Sequence, residues 1–150
     1  MTLLAQPELR LPRLHRRDAL GDISLAVHIL GWDQSTIMEM VQSGGLLWTW
    51  NVASDLHGAR AEWRFWIGEL MAPETQRTQK LDQVVDCVVG KREMVDLSVF
   101  SVKELLRVSR QQVHRLIETN QIAGRISNHV GWVPRASLVG FLKNRWTGNL

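Results

Sequence analysis

Apolar positions recur in the same order twice along the chain. Leu30, Trp32, Ile37, Met40, Val41 and Leu46 in residues 22–51 correspond without a gap to Leu106, Val108, Val113, Leu116, Ile117 and Ile122 in residues 98–127, 76 positions further on. In the first copy, Asp22 predicts the N-cap of a helix carrying Leu25, Val27, Ile29 and Leu30, and Gly31-Trp32 predicts a turn. Asp33 then caps a second helix whose apolar face is Ile37, Met40 and Val41, at three- and four-residue spacing, and Gly44-Gly45 ends it. Leu46 to Trp50 predict a strand, residues 51–61 a polar loop, and Trp63 to Met71 a closing helix.

The second copy repeats this plan. Ser98, or Ser101 with Glu104 at capping-box spacing, predicts the first cap; Ser109 with Gln112 predicts the second. Val113, Leu116 and Ile117 face inward. Ile122–Ile126 and Val130–Val133 predict two strands around the tip Ser127-Asn128-His129, and Pro134 opens a helix buried through Leu138, Val139, Phe141 and Leu142. Two helices across a tight turn, followed by a hairpin, are a helix-turn-helix with a wing. The fold class read from the pattern is mainly α with small β wings: two tandem winged helix-turn-helix domains joined by a helical connector.

The organisation follows. Residues 1–19 are a basic lead-in with Arg10, Arg13, Arg16 and Arg17, either a groove-following arm or a solvated terminus. Residues 20–72 form the first domain and residues 97–150 the second. Residues 73–96 connect them: Pro73 and Gly90 bracket the stripe Leu81, Val84, Val85, Val88 and Val89, which predicts a helix that must be buried, although its β-branched run leaves a strand open.

Charge separates the copies. Residues 20–75 carry two arginines against seven acids, a net −5, whereas residues 97–150 carry eight basic residues against two acids, a net +6. The basic copy attracts a phosphate backbone and the acidic copy is repelled by it. The outward positions of the second helix in the basic copy, after its cap Ser109, are Arg110, Gln111, Gln112, His114 and Arg115, with no acid before Glu118. Arginine pairs with guanine and glutamine with adenine through two hydrogen bonds each. The corresponding residues of the first copy are Gln34, Ser35, Thr36, Met38 and Glu39, and no arginine or lysine lies between residues 18 and 59. That copy holds Trp32, Trp48, Trp50, Trp63 and Trp66. Trp32 and Trp63 are expected in its core, and Trp48, Trp50 and Trp66 in a partner-binding patch.

Other chemistries find no support. The lone Cys87 excludes a disulfide within the chain, fits a reducing cytoplasm and is expected as a packed thiol. No apolar run approaches ~18 residues, so no membrane span is expected. The five histidines (His15, His28, His57, His114 and His129) lack metal-ligand spacing, there is no tyrosine, and no phosphate loop appears. The sequence therefore predicts a cytoplasmic protein that is not an enzyme and uses no metal or cofactor.

Residues 98–146 resemble the excisionase-type (AlpA-like) branch of the MerR-like winged helix-turn-helix proteins. The resemblance is carried by Leu105-Leu106-Arg107-Val108-Ser109-Arg110, Val113-His114-Arg115-Leu116-Ile117, Ile122-Ala123-Gly124-Arg125-Ile126 and Trp132-Val133-Pro134-Arg135, then Leu138, Phe141 and Leu142. Residues 22–71 resemble the same pattern more weakly. The resemblance implies sequence-specific binding of double-stranded DNA in mobile genetic elements, either to regulate transcription or to bend DNA for excision. It implies contacts by Arg110, Gln111, His114 and Arg115, with Arg125 at the backbone beside the wing; Asn128, His129 and Arg135 complete the expected set. The family's wing is usually basic, whereas Ser127, Asn128, His129 and Val130 are uncharged, and the segment after Trp132 is one residue shorter than usual before the proline. One such module buries roughly 600–1,000 Å² on DNA, so a dimer or multimer is expected. The function expected is a transcriptional regulator of a mobile element. Its alternatives are an excision factor that bends DNA, and a protein-binding adaptor acting through residues 20–72.

Overall fold

Strand, helix, helix, strand, strand, helix: the computed structural model, which describes residues 17–54, 60–72, 78–90, 96–127 and 130–149, contains this order twice. The first copy consists of β1 (Leu20–Gly21), α1 (Ile23–Leu30), α2 (Gln34–Gln42), β2 (Thr49–Asn51), β3 (Trp63–Trp66) and α3 (Ile67–Met71). A connecting helix α4 (Leu81–Val89) follows. The second copy is β4 (Asp96–Ser98), α5 (Val99–Leu106), α6 (Arg110–Glu118), β5 (Arg125–Ser127), β6 (Val130–Pro134) and α7 (Arg135–Arg145), with a short 3-10 turn at Thr147–Asn149. About half of the chain is helical, and two small antiparallel sheets, ordered β1-β3-β2 and β4-β6-β5, complete it.

The repeat holds to the residue. α1 and α5, α2 and α6, and β2 and β5 begin and end 76 positions apart (23 to 99, 34 to 110, 49 to 125). The local chemistry explains why. Each of these four helices begins where a side-chain oxygen accepts from a first-turn amide: Asp22 from Leu25 (2.9 Å), Asp33 from Thr36 (2.8 Å), Ser98 from Ser101 (3.0 Å) and Ser109 from Gln112 (3.1 Å). α1 ends at Gly31 in the left-handed region (φ 72°). Its counterpart at the end of α5 is Arg107, also left-handed (φ 59°), where a side chain costs roughly 1–2 kcal/mol.

Several strands differ from the sequence expectation. Trp63 to Met71 do not form one closing helix: Trp63–Trp66 is a central strand and only Ile67–Met71 is helical. The reason is that both sheet faces are covered. Phe65 belongs to a core with Ala26, Ile37, Leu46 and Leu70, while its neighbour Trp66 belongs to the larger core. A strand buried on both faces shows no alternation. The paired parts of β2 and β5 are shorter than predicted, and the two- and three-residue strands β1 and β4 have no counterpart in the sequence reading.

The larger core runs through both copies. It unites Leu20, Trp48, Trp50, Val52 and Trp66 with the α4 valines and with Leu106, Val133, Phe141 and Leu142. Trp48 is the hub, with ring centroids 5.1 Å from Trp146, 6.5 Å from Trp50 and 6.5 Å from Trp66. The expected partner-binding patch is therefore corrected: Trp48, Trp50 and Trp66 are 1%, 0% and 6% exposed, because the other copy of the same chain covers them. Trp32, expected in the core, is 37% exposed in the α1–α2 turn.

Polar contacts across the same junction are numerous. Arg64 donates from Nε to Leu106 O (2.8 Å) and from Nη2 to Arg107 O (2.8 Å). Arg107 Nε donates back to Leu20 O (3.3 Å), Arg145 Nη1 to Asn51 O (3.0 Å) and Ala53 O (2.7 Å), and Trp146 Nε1 to Leu47 O (2.8 Å). Burial pulls the Arg64 and Arg145 guanidinium groups below their usual range; for Arg64 the neighbouring carboxylates of Glu62 and Asp22 oppose the shift.

α4 confirms the helix expected of its stripe and buries Val84, Val85, Val88 and Val89. Cys87 lies on its exposed side, since a helix that turns its valines inward turns the intervening position outward. The packed thiol is thereby corrected. In the folded chain Cys87 should react with an aromatic disulfide reagent about as fast as a free peptide thiol, followed by absorbance; protection until denaturant is added would place it in the core instead.

Candidate nucleic-acid interface

The chemistry of the second copy converges on α6. Val113 and Leu116 are buried and Ile117 packs against the same core, which turns Arg110, Gln111, Arg115 and Glu118 to solvent with His114 half-buried beside them. Gln111, His114, Arg115 and Glu118 border one open depression. Three donor-rich side chains and an imidazole thus share a helix face with no acid before Glu118. Gln112 points elsewhere: its side-chain amide nitrogen is buried without a hydrogen-bond partner. Ser109 acts as the cap.

The caps add an electrostatic difference between copies. In the first, both helix N-termini are capped by aspartates, Asp22 and Asp33; at the positions 76 further on, Ser98 and Ser109 cap with neutral hydroxyls. A helix N-terminus attracts phosphate through its dipole and free amides, and a carboxylate there already satisfies it. The side chain and amide of Thr36 hold the Asp33 carboxyl below the usual carboxylate range. Its cap therefore acts above the ordinary carboxylate pKa and is lost only as pH falls through the lowered value. At neutral pH Asp33 presents a negative charge where Ser109 presents none.

Residues that sequence reasoning did not single out lie beside Arg110. Phe100 and Lys103 on α5, Arg110, and Val130 at the start of β6 line one depression, so the N-terminal ends of both helices and the wing meet on one side. Phe100 is 64% exposed, and the Lys103 ammonium lies 5.4 Å from its ring centroid. An exposed phenylalanine at the first turn of a helix was the available signal. Gly131 brings the wing close: an added Cβ there would collide with Val99. On β5 and β6, exposed Arg125 stands opposite Trp132, itself 50% exposed.

Arg135 is not part of this surface. Its Nη2 donates to Asp86 Oδ1 (3.1 Å) and Gly90 O (2.8 Å), which ties α7 to the end of α4. Its place just after Pro134 put it in the matching motif, but α7 packs on the connector and takes it away. Asn128 and His129, and residues 1–16 of the lead-in, lie outside the described residues. Among the described residues no group of three or more His, Cys, Asp or Glu could hold a metal ion, and no helix is long and apolar enough to cross a membrane. No known protein family, curated protein or solved structure matches the chain.

Proposed function

We propose that the chain binds double-stranded DNA sequence-specifically through α6, as a dimer or multimer, and regulates transcription within a mobile genetic element. The observation that carries the DNA contact is the outward face of α6: Arg110, Gln111, His114 and Arg115 on a helix whose opposite face is buried and whose cap is neutral. Arginine and glutamine at such a helix suit base edges in the major groove, and Lys103 and Arg125 flank it as phosphate contacts. The regulatory role follows from the family resemblance of residues 98–146. The acidic caps of the first copy support confining base contacts to the second.

Anisotropy titration of the full chain against a labelled duplex tests the electrostatic part. Raising salt from 50 to 200 mM should weaken binding by about two orders of magnitude or more if several phosphates are neutralised. Lys103→Ala should lower the slope of log affinity against log salt by about 1, uniformly across sequences. Binding indifferent to salt would remove α6 and its neighbours from contact with DNA.

A further inference from the structure

The ends of α6 are held by the other copy of the repeat. At its start, Arg64 grips the carbonyls of Leu106 and Arg107, both at 2.8 Å, in the turn that leads through Val108 to the cap Ser109. Beyond its end, the Gln121 side chain donates to Ser54 O in the first copy and accepts from Arg145, which itself donates to Asn51 O and Ala53 O. The first grip holds backbone carbonyls of the turn entering α6, and the second ties the Gln121 side chain, just past its end, to a backbone carbonyl of the first copy, so both act on where the helix sits and neither uses its outward side chains.

The residues of the first grip are departures from the repeat. Arg64 stands opposite Trp50 in its sheet, on the rung that Gly131 occupies opposite Ile126 in the second copy. Arg107 stands where the first copy has Gly31, yet keeps the left-handed backbone that glycine favours. On each side of the same contact, one copy thus carries an arginine where the other has a glycine. Arg107 Nε reaches back to Leu20 O, which makes the contact reciprocal. A buried guanidinium bound to three backbone carbonyls, Trp63 O being the third, has no reach left for a phosphate.

We infer that the first copy is an internal brace for the DNA-contacting helix, with Arg64 and Gln121 as positioning residues that set the tilt of α6, so that sequence selectivity depends on residues remote from the DNA. The inference rests on α6 being the reading helix. Base readout demands placement to within a fraction of an ångström, whereas phosphate attraction tolerates tilt. Loosening the brace should therefore cost selectivity and spare the electrostatics.

The test compares Arg64→Met, Arg64→Lys and Gln121→Met with the unmodified full chain. Affinity is measured for the duplex that the unmodified chain recovers from random DNA and for a scrambled duplex of equal length. The ratio of the two is the readout, because partial unfolding scales both affinities alike and leaves the ratio unchanged. Arg64→Met should lower the ratio at least tenfold at an unchanged salt slope, and Gln121→Met severalfold. Arg64→Lys keeps the charge but cannot span two carbonyls, so it should also lower the ratio. An unchanged ratio in Arg64→Met, or full recovery in Arg64→Lys, overturns the brace. If Arg64→Met does not fold, the other two variants decide by the same ratio. Hydrogen exchange in the DNA-free chain separates the two claims: Arg64→Lys should speed exchange of α6 amides relative to α2 whether or not DNA is read. Equal exchange in both helices overturns the brace, while failure to recover any duplex overturns the DNA reading.

Discussion

Replacing Arg110 and Arg115 together by alanine should abolish most of the selective affinity for DNA. A bidentate arginine–guanine pair contributes about 1–3 kcal/mol, and about 1.4 kcal/mol is a factor of ten. Two such losses predict roughly a 30- to 10⁴-fold weaker complex. If one or both arginines meet phosphate instead, the salt slope should fall by about 1 for each. Both side chains are exposed on α6, so the unfolding midpoint should stay close to that of the unmodified chain. An undiminished affinity and slope in the folded double variant would show that the helix face does not touch DNA.

The second large effect concerns the junction. Trp48 is 1% exposed and contacts Trp50, Trp66 and Trp146, three rings drawn from both copies. Trp48→Ala should cost about 3–5 kcal/mol, the range for emptying a packed aromatic site. Because the larger core runs through both copies, urea unfolding should remain a single transition, with far-UV circular dichroism and tryptophan fluorescence changing together. Two separated transitions, only one of them shifted by the substitution, would contradict a shared core.

The helices were legible because their signals are local. Asp22, Asp33 and Ser109 cap where their side chains and the following apolar spacing predict, and the valine stripe of α4 betrays its buried face. The exposed side of α6 was legible for the same reason: periodicity that buries Val113 and Leu116 also exposes Arg110 and Arg115. What the sequence conceals is everything that depends on the second copy. Trp48, Trp50 and Trp66 look surplus to one small domain, and no pattern within residues 20–72 reveals that Trp146 completes their packing. Arg64 reads as an ordinary surface arginine until Leu106 and Arg107, more than 40 positions away, supply its acceptors. β3 lost its alternation to burial on both faces, and Arg135 was taken from the site by an aspartate on α4.

The acidic first copy gains an explanation from the same geometry. Its charge opposes phosphate, Trp48, Trp50 and Trp66 serve the junction, and two of its groups, Arg64 and the Ser54 carbonyl, meet the segments flanking α6. On the proposed reading, one copy of the repeat contacts DNA and the other holds the contacting helix in place.

Selection from random duplex DNA with the whole chain, at near-physiological salt, asks whether the protein reads sequence and through which helix. If α6 alone reads bases in an assembled protein, the recovered motif should be built from one kind of half-site, repeated or inverted. Two unlike half-sites would mean that α2 reads DNA as well. No enrichment from protein shown to be folded would contradict sequence-specific binding.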